Sequence, residues 1–110
     1  MSKVYVVHEP LSADGGRTKD LSPAEKYGKL VFCVRSGPTP KDLTGLIPFM
    51  VEALKDFDPH NDYILPIGHP ILIGWATAIA MKYSIAQKVT MLYWNNHDYT
   101  PVTAILNPSP

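Results

Sequence analysis

A chain of 110 residues with zero formal net charge and 45% apolar side chains is sized for one domain with its own core. Those totals exclude wholesale disorder and a uniformly basic nucleic-acid surface. The single cysteine, Cys33, excludes an internal disulfide and a cysteine-rich zinc knuckle; set in an apolar run, it reads as a small buried hydrophobe.

Lys3 to His8 reads as the first strand, because Val4, Tyr5, Val6 and Val7 are β-branched or aromatic. Met1-Ser2-Lys3 leads straight into it without a signal-peptide plan, so a soluble, intracellular protein is expected. Leu11 to Gly28 mixes Gly15, Gly16, Gly28 and Pro23 with polar residues and has no sustained period, which predicts a long surface loop. Within it, Ser22-Pro23-Ala24-Glu25 offers one helical turn with Ser22 as N-cap.

Leu30 to Val34 is the second predicted strand. Thr39-Pro40-Lys41-Asp42 reads as a helix start, with Thr39 as N-cap and Asp42 in the first turn. Leu43, Leu46, Ile47, Met50, Val51, Leu54 and Phe57 then form one apolar stripe. Pro48 interrupts it at a cost of about 3 kcal/mol inside a helix. The stripe keeps its phase across the proline, so a kink is expected rather than a fresh start.

Tyr63 to Ile67 is a third, short apolar strand, broken by Gly68-His69-Pro70. A second helix is expected from Pro70 to Ser84, with Ile71, Trp75, Ala78, Ile79 and Lys82 on one stripe and small residues permitting close approach to a sheet. Its apolar run is too short to span a membrane. Lys88 to Trp94 and Tyr99 to Leu106 predict an antiparallel hairpin across the turn residues Asn95 to Asp98. Asn107 to Pro110 reads as a tail. Apolar strands flanking an apolar helix indicate a βαβ crossover. The expected architecture is therefore a single α/β domain over 1–110. It has a small, mostly parallel sheet of about five strands, two main helices and a C-terminal antiparallel hairpin.

Two turns would lie at the carboxyl edge of such a sheet, where helix starts favour anions. They nominate Gly37, Thr39, Gly68 and His69 as ligand-binding residues. One glycine per turn makes neither a dinucleotide fingerprint nor a P-loop. The hairpin nominates Trp94, His97 and Tyr99 as partner-binding residues, against the simpler reading of cross-strand packing. The four histidines are scattered without metal-ligand spacing, and nothing pairs a nucleophile with a base. No catalytic residue, metal or cofactor is therefore nominated.

The run Asp56 to Pro70, the alanine-rich helix after it, Met91-Leu92-Tyr93-Trp94 and Tyr99-Thr100-Pro101-Val102 together resemble small uncharacterised proteins of bacteriophage genomes. A weaker echo lies in Val4 to Pro10 and Leu21 to Gly28. The resemblance covers roughly the second half of the chain and carries no functional residue over. It implies a phage-encoded accessory protein in the cytoplasm of a bacterial host. Three roles follow from these readings. The first is a non-enzymatic binding module for a host or phage protein, with a homo-oligomer formed through a sheet edge as one version of it. The second is a small anionic ligand or nucleotide binder at the strand-end turns. The third is a single-stranded nucleic acid binder using the hairpin aromatics.

Overall fold

The apolar runs become the strands of one five-stranded sheet in the computed structural model, which describes residues 2–10, 16, 19–35, 42–82, 84–85 and 87–106. The strands are β1 (Lys3–His8), β2 (Lys29–Val34), β3 (Tyr63–Leu65), β4 (Lys88–Trp94) and β5 (Tyr99–Ile105). Helix α1 spans Ile47–Leu54 and α2 spans Pro70–Met81, with short 3-10 helices at Ser22–Tyr27 and Leu43–Leu46. The strand order is β2-β1-β3-β4-β5. The first four run parallel, and β5 returns antiparallel on β4, with Trp94 opposite Tyr99 and Lys88 opposite Ile105. The expected crossover is present: α2 joins the neighbouring parallel strands β3 and β4.

Strand alternation divides the core in two. Tyr5, Val7, Ile64 and Val89 face the two α-helices, meeting Met50 and Leu54 of α1 and Leu72 and Ala76 of α2. Val4, Val6, Leu65 and Leu92 face the opposite side, where Leu21, Ala24 and Tyr99 cover them. The chain therefore leaves β1 for β2 across one face and travels from β2 to β3 across the other. Burial, aided by the nearby Asp62 and Asp56 carboxylates, pushes the Tyr5 hydroxyl up to about 12. Burial likewise pushes the Cys33 thiol up to about 12, so Cys33 is an inert hydrophobe of the core.

Several local expectations are corrected. Residues 36–41, which hold the expected helix start at Thr39 and Pro40, lie outside the described residues, as does the tail 107–110. Pro48 sits in the first turn of α1 rather than at a kink, because that position needs no backbone N–H. Ahead of it, the Asp42 carboxylate accepts the Thr44 N–H and starts the 3-10 turn Leu43–Leu46. On α2 the buried residues are Leu72, Ala76, Ala80 and Met81, whereas Ile71 of the expected stripe is 47% exposed. Ala76 and Ala80 sit buried toward the sheet, and Trp75 and Ile79 of the expected stripe pack partly buried against the same core. Residues 22–27 are not a surface loop. The helical turn expected at Ser22–Glu25 is present as the 3-10 helix Ser22–Tyr27, which follows Leu21, and Leu21 and Ala24 are fully buried against the sheet. Ser22 is the first residue of that helix, not its cap, and its hydroxyl donates to Asp20.

Asp62 locks the amino-terminal edge of the sheet. It is 5% exposed; Oδ1 accepts the Lys3 N–H and Oδ2 accepts the Asp58 N–H, each at 2.9 Å. Asp62→Ala leaves both donors unpaired. Urea melts should show a loss of about 1–3 kcal/mol for each donor that stays dry.

Candidate functional site

The β4–β5 hairpin carries the nominated partner-binding residues. Asn95 builds its turn: its Oδ1 accepts the N–H groups of His97 and Asp98, and its own N–H donates to the Asp98 carbonyl. Asn96 takes the left-handed backbone (φ +76°) that asparagine tolerates. His97 is exposed at the tip. Trp94 and Tyr99 are cross-strand partners with ring centroids 5.0 Å apart. They differ in burial: Trp94 is 45% exposed and Tyr99 only 7%. Tyr99 therefore packs into the sheet, while the Trp94 ring is partly presented to solvent.

The segment Ser22–Tyr27 clamps the hairpin to the sheet. Lys26 Nζ forms an ion pair with Asp98, and the Tyr27 hydroxyl donates to the Tyr99 carbonyl at 2.7 Å. The Tyr27 ring also meets Tyr63 at 5.4 Å. The hydrogen bond from Lys26, with a second from the Tyr99 N–H, holds the Asp98 carboxyl below the usual carboxylate range. A lowered folded pKa stabilises the fold above the unfolded value of about 3.9, and that contribution is lost as pH falls through the folded value. Lys26→Gln should move the Asp98 titration back toward the ordinary range, read by NMR of the carboxyl carbon. The pair is solvent-exposed, so stability should change little.

Between this clamp and the sheet lies a half-open cleft of about 600 Å³, at the carboxyl ends of β3 and β4. Leu65 and Leu92, both buried, line its base, with Pro66 and Ile67 beside them. Trp94 and Tyr99 line the hairpin side. Lys19, Asp20 and Pro23 line the opposite side. Burial raises the Tyr99 hydroxyl pKa, and the Asp20 carboxylate adds to that shift. Sequence reasoning missed this cleft, because its outer wall, Lys19, Asp20 and Pro23, belongs to a segment that read as surface loop rather than as cover for the sheet.

The nominated ligand-binding residues fare differently. Gly37 and Thr39 lie outside the described residues. Gly68 has φ +132°, and a Cβ there would stand 2.8 Å from His8 Cβ, so its backbone lies close against the end of β1. The His8 N–H also donates to the Ile67 carbonyl at 2.9 Å. His69 caps α2: its Nδ1 accepts the Ile71 N–H at 3.1 Å. Both residues thus have structural duties at this helix start, and neither lines the cleft.

Exposure identifies residues that the sequence did not nominate. Among the described residues, nine large hydrophobic side chains are exposed, and five lie on 88–106: Tyr93, Trp94, Val102, Ile105 and Leu106. Strand β5 is one of the two edge strands of the sheet, and five of its seven residues are exposed. Pairing with β4 assigns its faces: Val102 lies opposite Met91 on the helix-bearing side, and Ile105 opposite Lys88 on the other. β5 therefore presents apolar side chains on both faces. Alternation of signals along the edge could not show this, because neither face had an assigned cover.

A family model described as Phage Pam3 gp32-like protein matches residues 2–108, extending the phage resemblance from the second half of the chain to nearly its full length. No curated protein and no solved structure matches the chain.

Proposed function

The chain belongs to the Phage Pam3 gp32-like family, and from that premise we propose that it is a non-enzymatic binding module whose β4–β5 hairpin engages a host or phage protein in the host cytoplasm. The observation that carries this reading is the concentration of exposed hydrophobic side chains on one hairpin, at the sheet edge. An edge strand offers unpaired backbone groups to an incoming strand, and apolar side chains on both faces would flank it. Tyr93, 62% exposed, and Trp94 supply the aromatic anchors that interfaces favour. Pro101 in mid-strand withholds one N–H, which limits how far an edge partner could extend its ladder.

The hairpin aromatics support nucleic-acid binding less well. Tyr93 and Trp94 point to opposite faces and Tyr99 is buried, so no run of exposed rings forms a stacking platform.

Capture from infected cells tests the proposal. The wild-type chain should retain a defined host or phage protein, and the Val102→Glu/Ile105→Glu double variant should lose it while keeping its circular dichroism melt. Identical retention by both chains would overturn the assignment of the hairpin. A second copy of the chain as the sole retained protein would make the edge a homo-oligomer contact.

A further inference from the structure

We infer that the cleft between Lys19–Pro23 and the carboxyl ends of β3 and β4 binds an uncharged, ring-bearing small molecule, on a lining that shares Trp94 with the partner surface but includes neither Val102 nor Ile105. Its volume, about 600 Å³, falls in the range of small-molecule sites and exceeds what one inserted side chain would fill. Its position fits as well, since open α/β sheets gather ligands outside the carboxyl ends of their parallel strands.

The lining selects the chemistry. Leu65, Leu92 and Ile67 give an apolar base, and Trp94 adds a partly exposed ring against which a flat molecule can lie. Pro23 and Pro66 add rigid apolar surface on two sides. Charge argues against an anion. Among the described lining residues Lys19 is the one cation, and Asp20 follows it in the chain with a carboxylate whose charge reaches Tyr99. A phosphate would meet the Lys19 ammonium and the Asp20 carboxylate on the same wall, an attraction and a repulsion together. An uncharged heterocycle can use both, donating to the carboxylate and accepting from the ammonium, while its faces meet the apolar base. Phosphorylated nucleotides, favoured at the turn residues Gly68 and His69 from sequence alone, fit this cleft poorly.

Trp94 provides the reporter. The chain has two tryptophans, so a Trp75→Phe variant leaves Trp94 as the only one. Uncharged nucleosides and indole serve as probes, with nucleoside monophosphates as the charged comparison. The expected result is saturable quenching of Trp94 by at least one neutral probe, with a raised melting temperature. The corresponding monophosphate should bind at least several-fold more weakly. In an Ile67→Trp/Trp94→Phe variant, which crowds the base of the cleft and removes its indole wall, the same probe should no longer raise the melting temperature. No saturation and no thermal shift by any neutral probe at millimolar concentration would overturn the inference, as would tighter binding of the monophosphate. The Val102→Glu/Ile105→Glu variant should bind the probes unchanged, so failure here is distinct from failure of the partner surface.

Discussion

Leu72→Ala is expected to cost about 2–5 kcal/mol, whereas Ile71→Ala, one residue earlier on the same helix, should cost about 1 kcal/mol or less. Leu72 is fully buried between α2 and the sheet, and Ile71 is 47% exposed. Truncating Leu72 removes its transfer energy and leaves a cavity. Truncating Ile71 mostly removes surface already in water. Urea melts of the two variants measure the contrast, and in a chain this size each lost kcal/mol lowers Tm by roughly 4 °C or more. A larger loss for Ile71→Ala would mean that α2 is rotated from the orientation described. The base of the β3–β4 unit would then have to be redrawn.

Gly28→Ala should be the most damaging of the small substitutions. A Cβ at Gly28 would stand 2.4 Å from the Ser2 carbonyl oxygen, 2.6 Å from its carbon and 2.9 Å from the Lys3 nitrogen. All three are backbone atoms, so no rotamer change relieves the contact. The same Ser2 carbonyl accepts the Lys29 N–H at 3.2 Å, where β1 and β2 begin to pair. Opening that junction should cost about 3 kcal/mol, at the upper end of overpacking penalties. Gly74→Ala is the internal control. A Cβ there meets nothing within 4 Å, on an exposed turn of α2, so it should raise stability by about 0.5–1 kcal/mol through helix propensity. Thermal melts of the two variants should shift in opposite directions. A neutral Gly28→Ala would show that the β1–β2 junction is looser than its geometry implies.

Much of the sheet could be read from residues because its strands are short runs of Val, Ile, Tyr and Leu bounded by Gly and Pro. The crossover through α2 and the Asn95–Asp98 hairpin were legible for the same reason. What stayed hidden was what depends on long-range contact. Helix α2 is apolar all round, so nothing in its sequence marks Leu72 and Ala76 as inward and Ile71 as outward. Leu21 and Ala24 look like loop residues until β1 and β3 stand beneath them. The interior position of β1, between β2 and β3, has no local signal at all. The site follows the same rule. Trp94 and Tyr99 were visible as neighbouring aromatics, but their unequal burial follows from Tyr99 packing into the cluster of Val4, Val6, Leu21, Leu65 and Leu92. Gly68 and His69 read as ligand residues, and the close approach of Gly68 to His8 and the cap that His69 sets on Ile71 had no signal in the sequence.

The hairpin as recognition arm is tested most directly by a photo-crosslinking amino acid placed at Val102, compared with the same group at Lys55 just after α1, during infection. The expected result is one discrete adduct with a host or phage protein from position 102 and none of that mass from position 55. Identical adducts from both positions, or none from 102 in a chain that still folds, would contradict it.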